Sequence, residues 1–226
     1  MAKRQDVGTP YPFILPQSMI ISGATKSGKS TLIKNLLMLP DSMFSPPVDK
    51  VIYVYSIWQD IYTELEAVWK DRIIFTESIP TKDYLLSVSE AKSHIALILD
   101  DKQSSLTKPE IADFVCVLCS HCNISTFILL QNFYYDSKVL RTVALNVQTI
   151  VLFRNRRSQQ QVKTLATQIC PGNTKFFMDA YYKATSQSNY SYLVIDLDPR
   201  GDGLHQFRTN IFPDEMTIVF SPETPS

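Results

Sequence analysis

The chain has 226 residues, 45% of them hydrophobic, with 22 basic and 22 acidic side chains and a formal net charge of zero. That length fits one α/β domain with a buried sheet. Zero net charge and a sequence pI of about 6.8 exclude a protein that grips nucleic acid by overall charge; such a role needs a local patch or an assembly.

At the amino terminus, Met1-Ala-Lys-Arg-Gln5 leads into a polar, proline-containing arm with no signal-peptide pattern. No apolar stretch reaches membrane-spanning length. The expectation is a soluble, intracellular protein with no membrane partner. The tails, before residue 12 and after residue 214, are expected to be loose.

Residues 17–22 form a short apolar run that predicts a strand ending at Gly23. Residues 23–30 read Gly-Ala-Thr-Lys-Ser-Gly-Lys-Ser, which fits G-x-x-x-x-G-K-[ST] at every fixed position. Residues 31–39 follow with helical spacing, and Pro40 is expected to stop them. Strand, glycine loop, helix is the arrangement that cradles nucleotide phosphates. Loop N–H groups and the positive end of the helix receive the clustered negative charge. The expected nucleotide-binding set is Gly23, Ala24, Thr25, Lys26, Ser27, Gly28, Lys29, Ser30 and Thr31. Within it, Gly23 and Gly28 let the backbone approach the phosphates. Lys29 is expected to reach the β- and γ-phosphates, and the Ser30 hydroxyl to ligate Mg2+. Thr31 is expected to help hold the α-phosphate or the helix start. Lys26 either touches phosphate or faces solvent.

The rest of the chain alternates apolar runs with amphipathic segments. Strands are predicted at 51–55, 72–75, 94–99, 125–130, 148–153 and 190–196. Helices are predicted at 59–69, 82–92, 109–119 and 137–146, with two more between 158 and 184 broken at Pro171-Gly172. Continuous apolar strands alternating with helices imply an α/β fold, a mostly parallel sheet with helices on both faces. No repeat or low-complexity linker divides the chain, so a single domain over 1–226 is expected, with a core from about 12 to 214.

Two strand ends carry further chemistry. The apolar run 95–99 ends in Asp100-Asp101, which suits a carboxylate beside the loop binding the Mg2+ water shell. Asp100 is the metal-side acid in this reading. Asp101 is the candidate to polarise the attacking water, or else caps a helix or turn. The next apolar run ends in Gln131-Asn132, at the sheet edge where ligands bind. Gln131 senses the γ-phosphate or orients water there, unless it is only the first polar residue after a strand. Between these runs lies Cys116-Val-Leu-Cys119-Ser-His-Cys122. A Cys/His cluster admits zinc. The helix-like apolar setting and the solitary Cys170 favour reduced, buried thiols instead.

Phosphate loop, strand ending Asp100-Asp101, strand ending Gln131, then Val139-Leu-Arg141 and a strand ending Phe153 form an ordered set. This set resembles the poxvirus-type DNA-packaging ATPases of the FtsK–HerA superfamily, which occur also in Maverick/Polinton-like elements. The likeness runs from about Gln17 to Pro213 and includes 190–196 and 207–213. The resemblance implies a RecA-like (ASCE) P-loop NTPase fold, with ATP and Mg2+ as substrate and cofactor. It implies a homo-oligomeric ring that drives double-stranded DNA into a preformed viral capsid, with the capsid or a portal vertex as partner, in the host cell during virion assembly. By matching positions it implies a catalytic set of Lys29, Asp101, Gln131 and Arg141, with Ser30 and Asp100 at the metal. Arg141 would act on a neighbouring subunit's nucleotide. The acids here are Asp-Asp where other superfamily members have Asp-Glu.

Arg154 is a second arginine for that role. Arg154-Asn-Arg-Arg157 is alternatively a DNA-facing patch or a solvated loop of charges. A thymidine-kinase-like or other small P-loop nucleotide kinase is the alternative function, since Asp100-Asp-Lys-Gln103 distantly matches that family's acidic motif. The later paired CxxC motifs of those kinases are missing, as is the Asn-Lys-x-Asp motif of GTPases.

Overall fold

A computed structural model of the chain describes residues 1–8, 11–89, 93–102, 106, 122–132, 143–157 and 159–223. The helix predicted at 109–119, with Cys116 and Cys119, lies outside these residues, as does Arg141. Of the helix predicted at 137–146, residues 143–146 are helical.

Aliphatic and β-branched runs form strands here, and the amphipathic segments between them form helices. The order is β1 (Ala2–Val7), β2 (Phe13–Ile14), β3 (Ser18–Ser22), α1 (Lys29–Met38), α2 (Pro40–Met43), β4 (Phe44–Ser45) and β5 (Lys50–Val54). Then come α3 (Asp60–Trp69), β6 (Ile73–Thr76), α4 (Lys82–Val88), β7 (Ile95–Asp100), β8 (Ile124–Leu130) and β9 (Thr149–Phe153). The chain closes with α5 (Gln159–Ile169), α6 (Thr174–Thr185), β10 (Tyr192–Asp196), β11 (Phe207–Thr209) and β12 (Thr217–Pro222).

Among the described residues, all strands but β2 and β4 join one ten-stranded sheet, in the order β1-β12-β11-β10-β9-β3-β8-β7-β5-β6. From β9 to β6 the neighbours are parallel. The remaining strands, β10, β11, β12 and β1, add on antiparallel. Residues alternate between two cores along each parallel strand, as the two-residue period of a strand requires. Ile52, Leu97, Ile128 and Ile150 pack with α5 and α6 through Leu165, Phe176 and Phe177. Val51, Ile98, Phe127 and Val151 pack with α1 and α3 through Leu36, Leu65 and Trp69. The Trp69 indole N–H donates to the Leu37 carbonyl at 3.0 Å, tying α3 to α1.

The structure departs from the sequence expectation at both ends of the chain. The tails are a paired strand edge, with Ala2 opposite Pro222 and Val7 opposite Thr217. Ile218, Val219 and Phe220 are buried there. Ala-Lys-Arg-Gln-Asp-Val carries little strand signal alone, and its partner lies at the other end of the sequence. Pro40 opens the short α2 rather than only closing α1, using proline's fitness for the first helical position.

Candidate nucleotide-binding site

The loop between β3 and α1 depends on its two glycines for different reasons. Gly28 caps α1 with φ at 100°, a conformation that strains any L side chain. Gly23 has no room for one: a Cβ there would stand 2.6 Å from the Phe153 Cβ and 2.6 Å from the Ser27 Oγ. Ala24, Thr25, Lys26 and Thr31 are exposed, Ser27 is buried, and Gly28, Lys29 and Ser30 lie between. The Lys29 Nζ folds back over the loop and donates to the carbonyls of Gly23 at 2.8 Å and Ala24 at 3.0 Å. Burial pushes its ammonium below the usual lysine range, and the charges of Asp100 and Asp101 oppose that shift.

Asp100 ends β7 on the face covered by α1 and α3, and is 4% exposed. Its Oδ2 accepts from the Ser30 Oγ at 3.0 Å, the Tyr53 hydroxyl at 2.9 Å and the Tyr62 hydroxyl at 3.2 Å. Burial raises its pKa, while the Tyr53, Ser30 and Tyr62 hydroxyls and the Lys29 charge pull it back. Both tyrosines are pushed up by burial and by the Asp100 charge, so they remain protonated donors. Neither tyrosine was singled out by sequence. The parity of Tyr53 along its strand and of Asp100 along β7 is legible there. What is not legible is the parallel register that sets Tyr53 beside Ile98, nor the packing of α3 that brings in Tyr62.

Asp101 leaves the sheet with φ at 55° and is exposed. Its Oδ1 accepts from the Gln131 Nε2 at 2.9 Å, and the Gln131 Oε1 accepts from the Thr25 Oγ1 at 3.3 Å. The Ser56 Oγ donates to the Asp101 carbonyl at 3.1 Å. This chain of contacts follows from strand order: β8 stands between β3 and β7, so its end falls between the glycine loop and the acids. The loop, Asp100, Asp101 and Gln131, with Gln59 and Ile61, line a groove of about 280 Å3.

Ser30 and Asp100 offer hydroxyl and carboxylate oxygens, a hard donor pair that suits Mg2+ retaining part of its water shell. Among the described residues no cluster of three or more His, Cys, Asp or Glu side chains gathers as a metal site. Cys122 and Cys170 are half-buried free thiols packed against the core. Arg154, Arg156 and Arg157 are exposed just past the end of β9, at the sheet edge where the phosphate loop leaves the parallel neighbour β3. That turn is held by Asn155, whose N–H donates to the Tyr181 hydroxyl at 3.0 Å and whose Oδ1 accepts from the Arg157 N–H at 3.0 Å. No helix among the described residues is long and apolar enough to cross a membrane.

A glycine loop between a central parallel strand and its helix, with the acid-ended strand one strand removed, defines the fold of RecA-like P-loop NTPases. Solved structures share it. The genome packaging NTPase B204 from Sulfolobus turreted icosahedral virus 2, in complex with ATP-gammaS, is 15% identical with a TM-score of 0.56, over 82% of this chain and 94% of that one. The DNA-packaging ATPase B204 from Sulfolobus turreted icosahedral virus is 15% identical with a TM-score of 0.55, over 92% and 98%. The cytoplasmic domain of the Thermomonospora curvata type VII secretion ATPase EccC is 14% identical with a TM-score of 0.52, over 96% of this chain and 28% of that one. No protein-family model matches the chain, and no curated protein matches it in sequence.

Proposed function

We propose that the protein is an ATP hydrolase that drives double-stranded DNA into a viral capsid. The observation that carries the catalytic part is the convergence of two strand ends, those of β7 and β8, on one glycine loop, through the Ser30–Asp100 and Thr25–Gln131–Asp101 hydrogen bonds. The packaging part is supported by the shared fold of a viral genome-packaging NTPase and by the ordered motifs of the sequence.

In this reading the N–H groups of residues 24–31 receive the ATP phosphates at the start of α1. Lys29 exchanges the Gly23 and Ala24 carbonyls for β- and γ-phosphate oxygens. Ser30 and Asp100 would hold Mg2+, which would supply positive charge to neutralise those phosphates. The Tyr53 and Tyr62 hydroxyls hold the Asp100 carboxylate in place by donating to it. Gln131 orients a water, and Asp101 takes its proton as the water oxygen bonds to the γ-phosphorus. The bond from that phosphorus to the bridging oxygen breaks, and ADP and phosphate leave. A homo-oligomeric ring that docks at the capsid or a portal vertex belongs to this reading, supported by the ordered motifs of the sequence. Arg141, or Arg154 in its place, is the residue proposed to act across its subunit boundary. The exposed Arg154–Arg157 turn is otherwise a contact for DNA phosphates.

The test is phosphate release by the full chain with and without linear double-stranded DNA, beside a thymidine phosphorylation assay on the same preparation. Stimulation of ATP hydrolysis by DNA and no thymidine phosphorylation is the expected pair. Phosphate transfer to thymidine, with ATP use indifferent to DNA, would replace the motor with a small nucleotide kinase.

Asp101→Asn keeps an acceptor for Gln131 and removes the base. Its kcat is expected to fall about 10²–10⁴-fold while ATP affinity stays within a few fold. Gln131→Ala is expected to act in the same direction. A normal kcat in Asp101→Asn, measured by steady-state kinetics, would move the base to another acid.

A further inference from the structure

The phosphate groove opens into a larger one: Lys26, Gly28 and Thr31 line both. The second groove encloses about 1000 Å3 between α1 and the segments 188–192 and 210–215. Its volume is that of an organic ligand site, and its position next to the loop matches what remains of a nucleotide once its phosphates are seated. Phe153, Tyr190, Tyr192 and Phe212 give it aromatic walls, with the carboxylates of Asp214 and Glu215 at its rim.

Tyr190 is the informative residue. It is 65% exposed. The turn that carries it is nevertheless fixed. The Tyr190 N–H donates to the Ser188 Oγ at 3.1 Å, the Ser188 and Ser191 hydroxyls lie 2.9 Å apart, and the Ser191 N–H reaches the Ser188 carbonyl at 3.4 Å. The ring edge comes within 3.3 Å of where a Cβ on Gly28 would stand. The exposed ring is thus held at the start of α1, at the border of the two grooves. Beside it is Tyr192, whose buried hydroxyl has no acceptor for its proton among the described residues.

We propose that this groove takes the base and ribose of a purine nucleoside triphosphate, with Tyr190 as the stacking platform for the base. The assignment rests on the reading of the glycine loop as a triphosphate site. A preset aromatic face is the feature that favours a base over any other appendage of a triphosphate. A purine covers more of that face than a pyrimidine. Asp214 and Glu215 supply acceptors for an exocyclic amino group.

The full chain is titrated by calorimetry with Mg2+ and three probes: AMPPNP, UTP and inorganic tripolyphosphate. The wild-type chain is expected to bind AMPPNP at least about tenfold more tightly than tripolyphosphate, with UTP between them. Tyr190→Ala is expected to weaken AMPPNP about tenfold and leave tripolyphosphate unchanged, while Tyr190→Phe retains wild-type affinity. A thermal melt equal to wild type shows that Tyr190→Ala is folded. Equal loss for AMPPNP and tripolyphosphate in Tyr190→Ala, or no loss for either, overturns the base site and leaves the phosphate loop standing. A wild-type chain that binds neither probe overturns both.

Discussion

Lys29→Ala is expected to abolish ATP turnover, with a loss of about 10³-fold or more in steady-state phosphate release. The position of the Lys29 ammonium sets the size of this effect. It is held over the loop by the Gly23 and Ala24 carbonyls and lies within the fields of Asp100 and Asp101. Burial already penalises its charge, so the side chain is kept there at a cost to the free protein. A charge held in a partly water-free site acts more strongly on a developing phosphoryl charge than it does in bulk water. Removing it leaves the loop N–H groups to hold the phosphates alone. Nucleotide binding is therefore expected to weaken as well, since the lysine contacts ground state and transition state together. The decisive measurement is turnover of the purified variant against a mock preparation. Wild-type turnover by Lys29→Ala would mean that the loop is misread or the activity foreign.

Asp196→Ala is expected to lower stability by about 3–5 kcal/mol in urea unfolding, because it strands a buried guanidinium. Arg208 lies on β11 with its side chain fully buried, and its Nη1 donates to the Asp196 Oδ2 at 2.9 Å and the His205 carbonyl at 2.7 Å. Its guanidinium carbon stands 5.2 Å from the Tyr11 ring centre and 5.1 Å from that of Phe13. Burial pushes this arginine below its usual range, and the Asp196 charge is the main opposing influence. The same carboxylate accepts from the Asp198 N–H at 3.1 Å, so it also shapes the turn after β10. A double variant, Asp196→Ala with Arg208→Met, is expected to recover much of the loss, since a buried methionine needs no counter-charge. If Asp196→Ala unfolds at the wild-type urea midpoint, the ion pair contributes nothing to this edge of the sheet.

The glycine loop between β3 and α1 was legible in the sequence because its pattern is contiguous. The left-handed φ of Gly28 is a property of that residue alone, whereas the crowding of Gly23 against Phe153 arises only once β9 pairs beside β3. The parallel block was legible for a related reason. Strands covered on both faces are apolar throughout, and that signal survives without knowledge of any partner. Asp100, Asp101 and Gln131 were identifiable as strand-end polar residues. That Gln131 bridges Thr25 and Asp101 was decided by strand order, with β8 inserted between β3 and β7. The Tyr53 and Tyr62 hydroxyls on Asp100 were decided by register and helix packing. So was the pairing of β1 with β12, whose residues stand more than 200 positions apart in the sequence. Local rules of backbone and periodicity are written in the sequence. Contacts between residues far apart in sequence are fixed by which faces bury each other, and only the tertiary structure states that.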